Sequence, residues 1–248
     1  ELAHAVRIAR ECIEAEHRPD GYTIGVNVGE AGGQVVPHLH VHVIPRYSGD
    51  VPDPRGGVRG VIPGKAIWDG RSLLVRGGED DPLLRQLIEE LDDADRVDIA
   101  VAFAMDSGVR LIEEHLRDVL ARGGHVRFVT GDYLGHTEPT ALRRLLDLHE
   151  TTRESEDGAP RGRLDLRVFE SDGVSFHPKA YILVGKAGRG TAFVGSSNLS
   201  RSALRESVEW NYRIVPGRES AGFRDVARAF DELFGDPRCR VVDDAWIQ

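Results

Sequence analysis

Residues 177–204, HPKAYILVGKAGRGTAFVGSSNLSRSAL, restrict what this chain can fold into more than any other stretch. Two strand-like runs flank a glycine-rich turn, which predicts a hairpin whose second strand, 191–194, ends in Gly195-Ser196-Ser197-Asn198. Side chains alternate between the faces of a strand, so His177 and Lys179 point the same way while Tyr181 and Leu183 carry that face into the core. A nucleophilic imidazole and a fixed cation are thereby expected side by side. Ser196 and Asn198 arrive at the end of the second strand, where Gly195 is expected to permit the close approach of a phosphate oxygen.

The segments around the hairpin read as an α/β domain. Asp80-Asp81-Pro82 is expected to cap an amphipathic helix through residue 91, and 97–103 is an apolar run of strand length. A helix over 109–121, ended by Gly123-Gly124, and a strand over 125–130 follow. Strand, helix and strand in this order form a β-α-β unit and predict a parallel or mixed sheet between helices. The loop 131–137 then leaves a strand end, where such sheets place substrate contacts. It holds Asp132 and His136, although a turn is the commoner use of Gly-Asp. A helix over 139–149, a polar loop over 150–163, strands over 164–169 and 207–215, and a closing helix over 221–234 complete the domain.

The pattern H-x-K followed one hairpin later by G-S-x-N, carried by His177, Lys179, Gly195, Ser196 and Asn198, resembles the phospholipase D superfamily. The resemblance implies phosphodiester hydrolysis with no metal or other cofactor. His177 would attack phosphorus, while Lys179, Ser196 and Asn198 would hold the non-bridging oxygens as charge develops on them. Where the family usually carries an Asp after the Lys, this chain has Val184, which is similar to the nuclease branch, in which a Glu beyond G-S-x-N takes part. Glu209 or Glu206 would fill that place, with Glu209 orienting His177. One motif per chain implies that the histidine protonating the leaving oxygen comes from a two-fold mate in a homodimer. The 101–148 stretch also resembles the phospholipase D-like modules found beside bacterial helicases, which implies a helicase module as a partner. Arg189, Arg201 and Arg205 flank the signature, but scattered arginines are more often a solvated surface than a phosphate track.

The N-terminal segment is organised differently. A helix is expected over 1–17, stopped by Pro19-Asp20-Gly21, and a strand over 22–28. Residues 34–46 then read as a strand with His38, His40 and His42 at period two, which puts three imidazoles on one face and leaves Leu39, Val41 and Val43 for a core. Such a row suits a metal site, or a nucleophile with supports. With Asn27 and Gln34 ahead of it, the string resembles the histidine triad (HIT) family of nucleotide hydrolases and transferases. The resemblance implies His40 as the nucleophile on a nucleotide α-phosphate, His38 and His42 as its supports, Gln34 near the leaving group and Asn27 on ribose or phosphate. It covers residues 1 to about 65 and looks like the back half of such a domain. Prolines and glycines accumulate over 46–65, which places a domain boundary near residue 66.

The fold expected is therefore a mixed α/β sheet sandwiched by helices over 66–248, preceded by a partial α+β HIT-like half-domain over 1–65. The chain does not begin with Met and is expected to be a fragment. Cys12 and Cys239 are far apart and suggest neither a disulfide framework nor a zinc site. With no apolar run of membrane-spanning length and no leader, a cytoplasmic location and no membrane partner are expected. The net charge of −9 has the wrong sign for a free-standing nucleic-acid binder. The leading expectation is a DNA nuclease of restriction or repair, followed by a nucleotide hydrolase working at His40, and then by a module that only grips phosphates.

Overall fold

The computed structural model describes residues 2–51, 57–58, 71–132, 135–153, 162–185, 189–216 and 219–247. The tip of the predicted hairpin (186–188), most of the proline- and glycine-rich stretch and most of the polar loop at 150–163 lie outside the described residues. The chain divides into two compact units, residues 1–69 and 70–248.

In the first unit, α1 (Leu2–His17) is followed by β1 (Gly21–Gly25), a single 3-10 turn at Glu30–Gly32 and β2 (His42–Arg46). The strands pair antiparallel from Gly21 opposite Arg46 to Gly25 opposite His42. The Arg46 guanidinium ties the ladder's end to Asp50 through bonds of 2.6 and 2.7 Å, and to Thr23 at 3.1 Å. That pairing, with a backbone N–H from Tyr47, draws the Asp50 carboxyl down to about 2. Two expectations fail here. The first strand stops at Gly25 rather than at residue 28, so the second has no ladder partner before His42. His38 and His40 therefore lie outside the strand, and Leu39, expected in a core, is 62% exposed. None of the described residues of this unit is buried, because one helix and two strands cannot close a core of their own.

The second unit is a sheet between two helical layers. Its elements are β3 (Leu74–Gly77), α2 (Leu83–Asp92), β4 (Ala94–Val101), α3 (Asp106–Ala121), β5 (His125–Gly131), α4 (Pro139–Arg153) and β6 (Arg163–Phe169). There follow β7 (Lys179–Gly185), β8 (Gly190–Gly195), a π-helical turn at Ser202–Glu206, β9 (Val208–Ile214), α5 (Ser220–Phe234), β10 (Cys239–Val241) and α6 (Asp244–Ile247). The eight strands run in the order β10-β6-β5-β4-β7-β8-β9-β3. β4, β5 and β6 are parallel, joined by α3 and α4, while β7, β8, β9 and β3 extend the sheet antiparallel. The helix α2 differs in one detail from expectation: Asp81 does not cap it, and its carboxylate instead accepts the Arg76 N–H of β3 at 2.9 Å.

Alternation along the strands sorts the core into two layers. Val97, Ile99, Val101, Tyr181, Leu183 and Phe193 face α2, α3 and α4, whereas Ala100, Ile182, Ala192 and Ile214 face α5. Among the described residues, the α5 face contains one fully buried carboxylate. Asp98 receives a bidentate pair from Arg127 at 2.6 and 2.7 Å, and the same guanidinium lies over the rings of Phe230 and Phe234 and reaches Asp231 at 2.8 Å. One arginine thus fastens α5 to two neighbouring strands. Replacing only Asp98 with Ala leaves the guanidinium without its buried counter-charge and should cost about 3 to 5 kcal/mol in denaturant unfolding. The double variant Asp98→Ala/Arg127→Met should recover much of that loss, since it removes both charges together.

Candidate active site

The antiparallel register of β7 against β4 sets where the signature lies. Val101 pairs with Lys179, so His177 emerges beyond the ladder at the C-terminal edge of β4, β5 and β6. His177 precedes the strand rather than belonging to it, and it is exposed. Two neighbours fix its position. Phe176, buried on the α5 side, stacks on Phe169 at a centroid distance of 4.7 Å, and Pro178 holds the residue before it in extended backbone. Lys179 is only 7% exposed, and its Nζ lies 2.6 Å from His177 Nδ1 and 3.0 Å from Nε2. An ammonium within reach of both ring nitrogens caps the imidazole instead of following one lone pair. Burial pushes the Lys179 pKa down, and the negative charge of Glu209 acts in the opposite sense.

The second half of the motif returns on β8 and β9. Lys179 and Gly195 flank the Ala180–Val194 pair, and Ser196 follows at the same sheet edge. Gly195 has a different reason from the one expected: a Cβ there would strike Trp210 O and lie 2.6 Å from Asn211 Cα, so the missing side chain admits the β9 backbone rather than a phosphate. Ser196 is stitched to that strand. Its N–H donates to Trp210 O at 3.0 Å and its Oγ accepts the Trp210 N–H at 3.1 Å. The Ser196 hydroxyl donates to the Glu209 carboxylate, so Glu209 bonds to Ser196 and not to the His177 ring among the described contacts. Asn198, 8% exposed, accepts the Phe103 N–H on its Oδ1 at 3.2 Å, which leaves its Nδ2 protons as the donors available to a ligand.

Ser197, the variable position of G-S-x-N, is a support that the motif did not mark. It is fully buried, accepts the Asn211 Nδ2 on its Oγ at 2.8 Å, donates to Ala203 O at 3.3 Å, and takes the Tyr181 hydroxyl on its carbonyl at 3.1 Å. Beneath the loop, the first turn of α3 packs on backbone. A Cβ on Gly108 would meet the Leu199 carbonyl and lie 2.6 Å from Ser200 N.

Several candidates separate from this cluster. Val184 sits on the opposite face from Lys179, against the α5 layer, so a carboxylate at that position would not face the ammonium. Glu206 is engaged by Arg201 Nε at 2.9 Å, and both line a cavity of about 510 Å³ with Glu79, Pro82 and Arg205. Arg189 belongs to the β7–β8 turn, at the far end of the hairpin from His177. Asp132 accepts the Ser171 N–H at 2.9 Å and ties two loops together, while His136 is exposed with its ring 5.8 Å from that of Phe103.

In the first unit, His40 Nδ1 lies 2.8 Å from His38 O and its ring meets that of His42 edge-on at 5.0 Å. Gln34 accepts the Gly29 N–H at 2.8 Å and donates to Val36 O at 3.1 Å, while the nearest atom to a Cβ on Gly33 would be Asn27 Nδ2 at 3.9 Å. Gln34 and Asn27 thus lie along the turn that precedes the histidines. No group of three or more His, Cys, Asp or Glu side chains is placed to hold a metal among the described residues, the histidine row included. No described helix is long and apolar enough to cross a membrane.

Two families match separate stretches of the chain. The HIT domain family matches residues 1–49. In that stretch the chain is 45% identical over 51 residues to the AP-4-A phosphorylase of Mycobacterium tuberculosis, covering 20% of this chain and 26% of that protein. It is 40% identical over 50 residues to the asymmetrical bis(5'-nucleosyl)-tetraphosphatase of Schizosaccharomyces pombe, covering 20% and 28%. The chain thus spans about a quarter of the length of these relatives. Among solved structures, phosphatidylserine synthase of Haemophilus influenzae aligns with a TM-score of 0.51 at 19% identity, covering 68% of this chain and 39% of that one. Nuc of Salmonella typhimurium, a phospholipase D family member, aligns at 0.47 and 15% identity, covering 64% and 90%. The family described as cardiolipin synthase, PLD-like domain matches residues 87–234, more than half of the chain, and this protein therefore belongs to the PLD-like family, with a HIT segment in front.

Proposed function

We propose that the second unit is a metal-independent phosphodiesterase, most specifically a DNA nuclease, that works through a phosphohistidine at His177. The observation that supports this best is the half-buried chemistry at one sheet edge: a desolvated ammonium capping an exposed imidazole, with Ser196, Asn198 and Glu209 on the adjoining loop and strand. In the free protein the Lys179 ammonium rests on the His177 ring. When a phosphodiester enters, its non-bridging oxygens are better acceptors, and the ammonium turns to them with the Asn198 amide and the Ser196 hydroxyl. This frees a ring nitrogen to attack phosphorus. In the free protein the Ser196 hydroxyl gives its one proton to Glu209, and it turns from that carboxylate to donate to the phosphate. The leaving oxygen takes a proton from the His177 of a second copy in a homodimer, and water then cleaves the N–P bond to restore the imidazole. Restriction or repair beside a helicase module, in the cytoplasm, is the setting proposed for this chemistry.

A second reading is favoured by the HIT match: nucleotide hydrolysis or transfer at His40, with Asn27, Gln34, His38 and His42 around the phosphate. It needs further strands to complete a pocket, because this unit buries no described residue. The two readings separate cleanly. Purified protein should cleave plasmid or single-stranded DNA in excess chelator, and His177→Ala should abolish it; full cleavage by that variant would remove the phosphohistidine reading. Hydrolysis of nucleoside phosphoramidates that survives in His40→Ala would remove the second.

Lys179→Met should lower cleavage at least about 100-fold. It should leave stability equal or higher, since it replaces a buried, desolvated cation with an apolar chain of similar length. The sign of the pH dependence follows from the lowered Lys179 pKa: as pH rises through it the ammonium is lost, so activity should fall on the alkaline side before the ordinary lysine value of 10.5 is reached. In Lys179→Arg, residual activity should persist to higher pH, because a guanidinium stays protonated there.

A further inference from the structure

The turn between β3 and α2 lies against the strand that carries Glu209. Gly77 pairs with Val208, and a Cβ on Gly77 would lie 2.5 Å from both Glu209 N and Ser207 O. Gly78 donates its N–H to Ser207 O at 2.8 Å, and Gly77 bridges to Asp81, which closes a short turn containing Glu79. The two glycines have φ of 71° and 73°, a conformation that a side chain disfavours. Glu79 is thereby held two residues from a backbone contact with Glu209, the acceptor of the Ser196 hydroxyl. The facing wall is the π-helical turn at Ser202–Glu206. Arg201 follows Asn198 by three residues and Glu206 precedes Glu209 by three, so each lies within about 11 Å of a signature residue along the backbone. In an ordinary helical turn Glu206 would point about 140° away from Arg201. The wider turn, closed by the Ser207 N–H on Ser202 O at 2.8 Å, brings Arg201, Arg205 and Glu206 to one side, where they line the cavity of about 510 Å³ with Glu79 and Pro82. Such widened turns are frequent at functional sites. Pro82 begins α2, and Lys179 faces the same helical layer through its alternation with Tyr181 and Leu183, so cavity and ammonium share one face of the sheet. Val208 and Trp210 alternate to the other face and are exposed there.

The charges of the lining select the ligand. Arg201 and Glu206 neutralise each other at 2.9 Å. Glu79 and Arg205 have no hydrogen bond or ion pair among the described residues, so one wall presents an open carboxylate and the other an open guanidinium. A track for phosphates alone would not carry that carboxylate, and the volume is that of a pocket for a small organic group rather than for a single anion. A carboxylate accepts two parallel hydrogen bonds and a guanidinium donates two. Guanine answers both. Its N1–H and N2 amino group are donors side by side, and its O6 and N7 are acceptors side by side. Adenine and cytosine have one amino group next to a ring acceptor, and thymine has one N–H between two carbonyls, so none of them gives a carboxylate two adjacent donors. In a duplex the N1 and N2 groups are already paired, so the base must be single-stranded to be read this way.

We infer that this cavity is a subsite for an unpaired guanine near the scissile phosphate, read by Glu79 and Arg205. This rests on the phosphodiesterase reading at His177. The probes are a single-stranded oligothymidylate and the same strand carrying one guanine, one inosine, which lacks the N2 amino group, or one 7-deazaguanine, which lacks N7. Cleavage in chelator should be measured for wild type, Glu79→Gln and Arg205→Ala, and binding by fluorescence anisotropy for His177→Ala protein. Wild type should cut close to the guanine with kcat/KM about 10- to 100-fold above the all-thymine strand, and each analogue should lose most of that preference. Glu79→Gln should lower cleavage of the guanine strand without lowering that of the inosine strand further. Arg205→Ala should do the same for guanine against 7-deazaguanine. Binding to His177→Ala protein should follow the same order of strands. Guanine-selective binding with no cleavage by any protein would end the parent reading and keep the subsite. Equal cleavage and binding of all four strands, or losses in the variants that ignore the base, would overturn it. So would cleavage of phosphatidylserine vesicles that falls in both variants while oligonucleotide cleavage holds, which would reassign the cavity to a zwitterionic lipid headgroup.

Discussion

The pairing of β7 against β4 in antiparallel register is the constraint on which the rest of the second unit depends. A parallel β-α-β run leaves its strand ends, with their loops, on one edge of the sheet. The next strand must then run backward if its first residue is to start at that edge. Because Val101 pairs with Lys179, the imidazole and ammonium begin β7 where β4, β5 and β6 end. β8 then returns to the same edge with Ser196, and β9 leaves from it with Glu209. A slip of one residue in this register would turn Lys179 to the α5 face and Ile182 to the other, costing both the core alternation and the cation.

Close backbone approach does the remaining positioning. Gly195 lets β9 come against the end of β8, and Gly108 lets the first turn of α3 rest on the Leu199–Ser200 backbone. Between them, buried Ser197 satisfies its polar groups with Asn211, Ala203 and Tyr181. The loop carrying Ser196 and Asn198 is thus fixed from below by hydrogen bonds and left open above. A lysine kept 7% exposed within such a rigid edge is costly to the fold, since its charged form is desolvated. That cost is of the kind found where a charge has been placed for a ligand rather than for stability.

The two halves of the chain show opposite relations between motif and architecture. In the second unit the motif and a full core occur together. In the first, the histidine row is intact in sequence, yet only His42 lies in a strand and no described residue is buried. The reason is the missing ladder: β1 ends at Gly25, and a strand needs a partner for its backbone groups as well as a suitable alternation of side chains.

What the sequence by itself determined was local. Periodicity located α3, β5 and α5 within a few residues, the β-α-β order announced a mixed sheet, and H-x-K with G-S-x-N marked His177, Lys179, Ser196 and Asn198, because these features depend on spacing along one strand or helix. β10 and α6 went unread, being only three and four residues long and stabilised by their packing. The partner of Glu209, the reason for Gly195, the support from Ser197, the packing of Val184 on the α5 side and the exposure of Trp210 were decided by the tertiary structure. Each is settled by which strand lies beside which, and in what register, which chain-local spacing does not encode.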